Sequence, residues 1–334
     1  MSDNPAKLRP AEKPDSQGLV FGRHMGAAGE VTLLAAMPAA LPRDGDGWLW
    51  AHLDLVDRRS FRWLASLGLP LAALSAFSSE DTRPHVEAAG GVVSGALMEM
   101  HTEPSVQIGR RRLLRFAAGE SWLITARHHP LEDIDALRGR LDSGLQLAHP
   151  AAVLARFVES SVDRYQHEID AMLASLNWIE DVVIERGGSD ASARVSEIRR
   201  KAVTMHREMS LNKAVIGRLS ELVLLTAPPA ATQQALAADY QKAETLHGEL
   251  HTIGDRARLL KDEIASNISA DMNHSLYVIS MVSALLLPPS LIFGLFGTNV
   301  GGLPFLNHEY GFWAVTALGL VSSAAVFMML RRRW

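Results

Sequence analysis

Few side chains in this 334-residue chain are grouped in a way that suits chemistry. His247 and His251 stand four apart on a stretch of helical periodicity, with Glu244 one turn earlier. That spacing suits a zinc ion and equally a solvated helix face. His128 and His129 are adjacent, and neighbouring side chains of a strand point to opposite faces, so the pair reads as a surface strand end. Cysteine is absent, which excludes thiolate nucleophiles, thiolate metal sites and disulfides. No Ser/His/Asp spacing suggests catalysis, and neither glycine-rich phosphate fingerprint occurs. The chain reads as no enzyme and as needing no cofactor. With 33 basic and 37 acidic residues the net charge is −4, which argues against nucleic acid as a partner.

What remains is ionic and lies near the C-terminal end. Extending a heptad-like seam gives Asp262, Ser266, Ser269, Asn273, Leu276, Ser280, Ser283, Leu287, Ser290 and Gly294. This stripe is rich in hydroxyls and carries apolar positions at Leu276 and Leu287, which suit constrictions. The opposite face, with Val278, Met281, Leu285 and Ile292, suits lipid or another helix. Small hydroxyl residues also serve as packing glue between membrane helices, so periodicity alone supports both readings. No Lys or Arg occurs from Asp262 to Leu330, whereas Asp262, Glu263, Asp271 and Glu309 flank the stripe. Rings of such carboxylates in an oligomer concentrate cations. Asp271 and His274 at one end, and His308 and Glu309 at the other, are the groups near the path able to change protonation; His274 lies one residue past Asn273.

The elements that must position these residues follow from patterning. Leu276–Phe296 has no charge over 21 residues and covers about 30 Å, one bilayer core. Phe312–Leu330 is a second such span, and residues 297–311 form a short loop between them. A buried helical hairpin is the competing reading. The charge-free lengths argue against it, as does the basic end at 331–334, which the positive-inside rule places in the cytoplasm. Two spans return the chain to the side it left, so both termini are expected in the cytoplasm and the loop outside. The polar first 17 residues read as a mobile tail without a secretory signal. Two helices cannot enclose a water-filled path, so any conduction needs several subunits.

Residues 18–145 read as an α/β cytoplasmic domain. Its strand candidates are Val31–Met37, Trp48–Asp54, Gly91–Met100, Arg112–Phe116 and Ser121–Arg127; its helix candidates are Asp57–Leu67, Leu71–Phe77 and Leu131–Leu141. Trp48 and Trp50 share a strand face and read as core. Residues 150–275 form a stalk of long helices. One seam runs from Val158 to Val183, a second from Val195 to Val223 and a third from Leu236 to Ile264. Gly187–Asp190 and Pro228–Pro229 separate them, and the third, beginning near Ala231, has no stop signal before the apolar span. Pro288 and Pro289 remove amide donors in mid-span and are expected to kink or loosen that helix.

Gly297-Thr298-Asn299 closes the first span, a short loop follows, and a second span leads to a basic end. This arrangement resembles the CorA superfamily of divalent-cation transporters, whose signature at this position is Gly-Met-Asn. The run Gly294–Pro304, with Gly301-Gly302-Leu303-Pro304, and the stretch Trp50-Ala51-His52-Leu53-Asp54 resemble its ZntB branch. Thr298 departs from the usual Met, which moves the expectation from magnesium to zinc as substrate, with magnesium, cobalt or nickel as the alternative. The resemblance implies a funnel-shaped homopentamer in the inner membrane and transport linked to a proton gradient. It also implies that Asn299 forms an amide ring at the outer entrance, with Gly297 letting the backbone turn there. A two-span sensor or scaffold is the reading from a different class.

Overall fold

The computed structural model describes residues 18–26, 30–42, 45, 47–79, 83–99, 112–186, 191–298, 304 and 309–332. The expected tail, 1–17, lies outside them, as does most of the loop between the spans. The described chain divides into two units, residues up to 180 with 193–258, and 181–192 with 259–334.

The first unit is built on one sheet of seven strands: β1 (Leu19–Met25), β2 (Val31–Leu33), β3 (Trp48–Asp54), β4 (His85–Ala89), β5 (Val92–Met98), β6 (Leu113–Ala118) and β7 (Trp122–Arg127). Their order is β2-β1-β3-β7-β6-β5-β4. Only β3 and β7 pair in parallel, in the centre, and all other neighbours are antiparallel. β3 is apolar but for His52 and Asp54, and all but its last residue are buried, the pattern of a strand covered on both faces. Trp50 and His52 are fully buried; the Trp50 indole donates to Thr125 Oγ1 and His52 Nδ1 lies 2.8 Å from the same oxygen. Burial, helped by the charges of Arg127 and Arg138, lowers the His52 pKa to about 3, so it is a neutral core residue. His128 and His129 lie exposed, just past the end of β7.

Three short helices cover the sheet: α1 (Arg58–Ser66), α2 (Leu71–Ser78) and α3 (Glu132–Asp142). Asp57 caps α1 by accepting from the Arg59 amide. α3 opens with Glu132, Asp133 and Asp135, acids favoured by the positive end of the helix dipole. β1 and β4 carry no clear sequence signal. β1 mixes Gly, Arg and His with its apolar residues, and β4 is a half-buried edge strand. The strand expected over Val31–Met37 shrinks to three exposed edge residues, since an edge strand has one neighbour to hold it.

Three long helices follow: α4 (Pro150–Arg186), α5 (Ser192–Leu222) and α6 (Ala230–Phe296). Every residue of the first two seams is buried, and so is the third except for half-buried Tyr240. The helices are tied pairwise by Lys201–Glu168, Lys213–Glu244 (3.0 Å), Lys242–Asp163 (2.7 Å) and Arg256–Glu180 (2.7 Å). Asn212 sits buried within the second seam, a polar residue of the kind that sets helix register. After α5 a single 3-10 turn leads to Ala227 in the left-handed conformation and then to Pro228-Pro229, which ends the helical run.

The second unit holds the remainder of α6 and α7 (Gly311–Arg331). Each contains a window apolar enough to cross a membrane, with mean hydropathy 2.0 and 1.9. The fold is thus a mixed α/β sheet domain, long helices and two apolar C-terminal helices.

Candidate cation pathway

α6 is unbroken over 67 residues, so it carries the whole predicted stripe. At about 100° per residue, Leu276, Ser280, Ser283, Leu287, Ser290 and Gly294 fall within an arc of about 80°, and Asp262 and Asn273 continue the same sector. All of these residues are exposed. Met281, Leu285, Pro288, Pro289, Ile292 and Phe296 are half-buried on the opposite side, about 120–180° from Leu276. α7 approaches at buried Gly319, where an added Cβ would stand only 2.8 Å from the ring of Phe293, about 100° around the helix from Leu276. A third sector, with Ile279, Val282 and Leu286, is apolar and exposed. Phe293 belongs to this same sector, so α7 packs on the side opposite the stripe and reaches the apolar sector at Phe293, and the hydroxyl-bearing face is left free.

Asp271 and His274 are exposed, but they do not share the stripe's sector. Five and two residues before Leu276, they are turned from it by about 140° and 160°. Glu309 is exposed ahead of α7, while Asn299 and His308 lie outside the described residues.

Gly297 stands in the turn that closes α6, and its amide keeps the helical bond to the Phe293 carbonyl at 2.9 Å. Thr298 follows, with its amide on the Leu295 carbonyl at 3.4 Å and its hydroxyl donating to that carbonyl at 2.7 Å. The hydroxyl thus satisfies a helix-end acceptor, which the Met of the usual signature does not do. The prolines expected to loosen the span sit inside continuous α6, where they take away the amide donors from which the Ala284 and Leu285 carbonyls would accept.

In the first unit, His247 and His251 are joined by a residue that sequence spacing did not single out. His206 of α5 stacks on His247 with ring centroids 4.2 Å apart and meets His251 at 5.8 Å. Rings stacked nearly parallel keep their in-plane nitrogen lone pairs from converging on one point. Among the described residues no group of three or more His, Asp or Glu is disposed to hold a metal ion. Burial, the neighbouring His206 and Lys213 lower the His247 pKa. His251 faces Asp255 at 3.2 Å.

The sequence profile of the family described as "CorA-like Mg2+ transporter protein" matches residues 45–332. The zinc transport protein ZntB of Photorhabdus laumondii is 24% identical over 296 residues, covering 85% of this chain and 87% of the relative. The divalent cation transporter CmaX of Pseudomonas aeruginosa is 24% identical over 335 residues, covering 97% and 98%. Among solved structures, full-length CmaX superposes with a TM-score of 0.79 over 97% of this chain and all of the other, at 23% identity. The complete CorA magnesium transporter of Methanocaldococcus jannaschii does so with a TM-score of 0.70 over 93% and 97%, at 15% identity. With a profile match spanning most of its length and the full-length fold in common, this chain belongs to the CorA-like family of transporter proteins.

Proposed function

We propose that the chain is a divalent-cation transporter of the inner membrane with zinc as its preferred substrate. It acts as a homopentamer whose α6 stripe lines the path, with both termini in the cytoplasm. The observation that carries this reading is the division of α6 into faces. Its hydroxyl-bearing sector is left free while α7 takes the opposite side, on a helix without Lys or Arg beyond Lys261. A cation on that path meets hydroxyls and the apolar positions Leu276 and Leu287, with no carboxylate or histidine in the span itself, which suits an ion that keeps much of its water. Asp262 and Glu309 draw cations to the two ends. Membrane potential supplies about 4.6 kcal/mol per 100 mV for two charges, so a proton gradient adds to a drive that already exists.

Zinc is favoured by the ZntB names and by Thr298 in place of Met. The name of CmaX and the family description favour a broader divalent range, with magnesium, cobalt or nickel as substrate. Uptake of Zn2+, Mg2+, Co2+ and Ni2+ into proteoliposomes, with and without a pH gradient, decides among these. Zinc flux exceeding the others supports the proposal. Equal or greater magnesium flux replaces the substrate, and absence of flux for all four ions leaves a sensor or scaffold. Asn299 is proposed as the outer amide ring, because a neutral amide orients toward a hydrated ion without trapping it. Asn299→Ala is expected to abolish or strongly reduce flux with assembly intact, and wild-type flux in that variant rejects the assignment.

A further inference from the structure

Proline 289 has no amide hydrogen, so the carbonyl four residues earlier, that of Leu285, has no donor within its own helix. In hydrocarbon there is no water to replace it. The structure supplies the donor from the other helix: Ser323 Oγ of α7 donates to the Leu285 carbonyl at 2.9 Å. A serine inside a helix ordinarily turns its hydroxyl to a carbonyl of the preceding turn of its own helix. The adjacent Ser322 does this, bonding Gly319 at 2.7 Å. Ser323 instead reaches across. The approach that allows it depends on Gly319 one turn earlier, where the absence of a Cβ lets α7 come up against the Phe293 ring.

We propose that Ser323 is a positioning residue of the transport path, standing in for the amide that Pro289 lacks and so holding α6 at its weakest point. The argument is geometric. The interrupted bonds lie between the inner half of the stripe, ending at Ser283, and its outer half, Ser290 and Gly294, beyond which come Gly297 and Thr298. A helix missing two consecutive amides bends there readily unless something else restrains it. With the bond made, α7 sets how the outer half of the stripe follows the inner half. With it broken, the Leu285 carbonyl is unsatisfied and the outer half can swing. The role of α7 is then to steer a path that it does not itself line. This inference rests on the transport reading above.

The test is a cycle of four proteins in one preparation: wild type, Ser323→Ala, Pro289→Ala and the double variant, with Ser323→Thr as the conservative control. Each is read for zinc flux in proteoliposomes and for thermal unfolding of the assembled protein. Ser323→Ala is expected to lower maximal flux about fivefold, the size of one interhelical hydrogen bond in a bilayer, and to lower Tm. Ser323→Thr keeps the hydroxyl and restores most of both. In the Pro289→Ala background the helix regains its own amide, so adding Ser323→Ala changes neither flux nor Tm further. Wild-type flux and Tm in Ser323→Ala overturn the proposal, as does an equal loss in both backgrounds. If the wild type moves none of the four ions, the transport reading fails on its own. The Tm cycle still decides the bond: loss confined to the Pro289 background supports the restraint, and equal loss in both removes it.

Discussion

Because the chain has no cysteine, its α6 faces are open to a scan without background. Single cysteines at Ser283, Leu287 and Ser290 probe the stripe; Met281 and Leu285 probe the side against α7; Val282 probes the exposed apolar sector. Met281 is about 160° from Ser283 around the helix, and Leu285 is about 160° from Leu287, so each comparison is between near neighbours in depth that differ in direction. Only the thiolate reacts, and it forms only where water reaches it. A thiol held in an apolar environment has a raised pKa, and each unit of increase lowers the thiolate fraction about tenfold. The stripe positions are therefore expected to react with a hydrophilic maleimide at least about tenfold faster than the other three in membrane vesicles, scored by mass shift on a gel. Val282 is the sharpest control. At 50% exposure it is as free as the stripe in a single chain, and only a surrounding bilayer or neighbouring subunit hides it. Equal rates for all six positions refute a water-filled stripe. Fast reaction at Val282 with slow reaction at Ser283 moves the path to the apolar sector.

Two further predictions concern the sheet domain. Burial, reinforced by the nearby Asp133 and Glu132 charges, pushes the Glu99 carboxyl up to about 7, so its contribution to stability is full below about 4.5 and is lost as pH rises through 7. Glu99→Gln is expected to gain relative to wild type as pH rises from about 4.5 to 7, by up to about 3 kcal/mol, and to gain little more above that; it is read from unfolding at several pH values, and a pH-independent difference contradicts this. Thr125→Val removes the oxygen that receives the Trp50 indole and meets His52 Nδ1, leaving buried polar atoms without it. A loss of about 1–3 kcal/mol is expected in denaturant unfolding, and a neutral result shows that the site relaxes to new partners.

The fit between sequence and structure was uneven for physical reasons. The seams of α4, α5 and α6 were legible because helix burial repeats every three or four residues along the chain itself. β3 was legible as a stretch rich in aromatic and aliphatic residues, whereas β1 and β4 were not, since a half-buried strand with mixed residues is held by its neighbours rather than by its own pattern. The stripe on α6 was legible as a period. Asp271 and His274 lie within two residues of Asn273 along the chain but about 140° and 160° from Leu276 around the helix.

By itself the sequence determined the length of the apolar spans, their freedom from Lys and Arg, the helical seams and the tripeptide at 297–299, all of which depend on residues close along the chain. Tertiary structure alone decided what meets across large separations. It paired β3 in parallel with β7 more than sixty residues later, and it brought His206 onto His247. It also placed the Ser323 hydroxyl on the carbonyl that Pro289 leaves without a donor. An orphaned carbonyl can be foreseen from a proline, because the missing amide is local. Which hydroxyl answers it depends on how closely two helices pack, and that is set by Gly319 lying against Phe293, a contact no periodicity records.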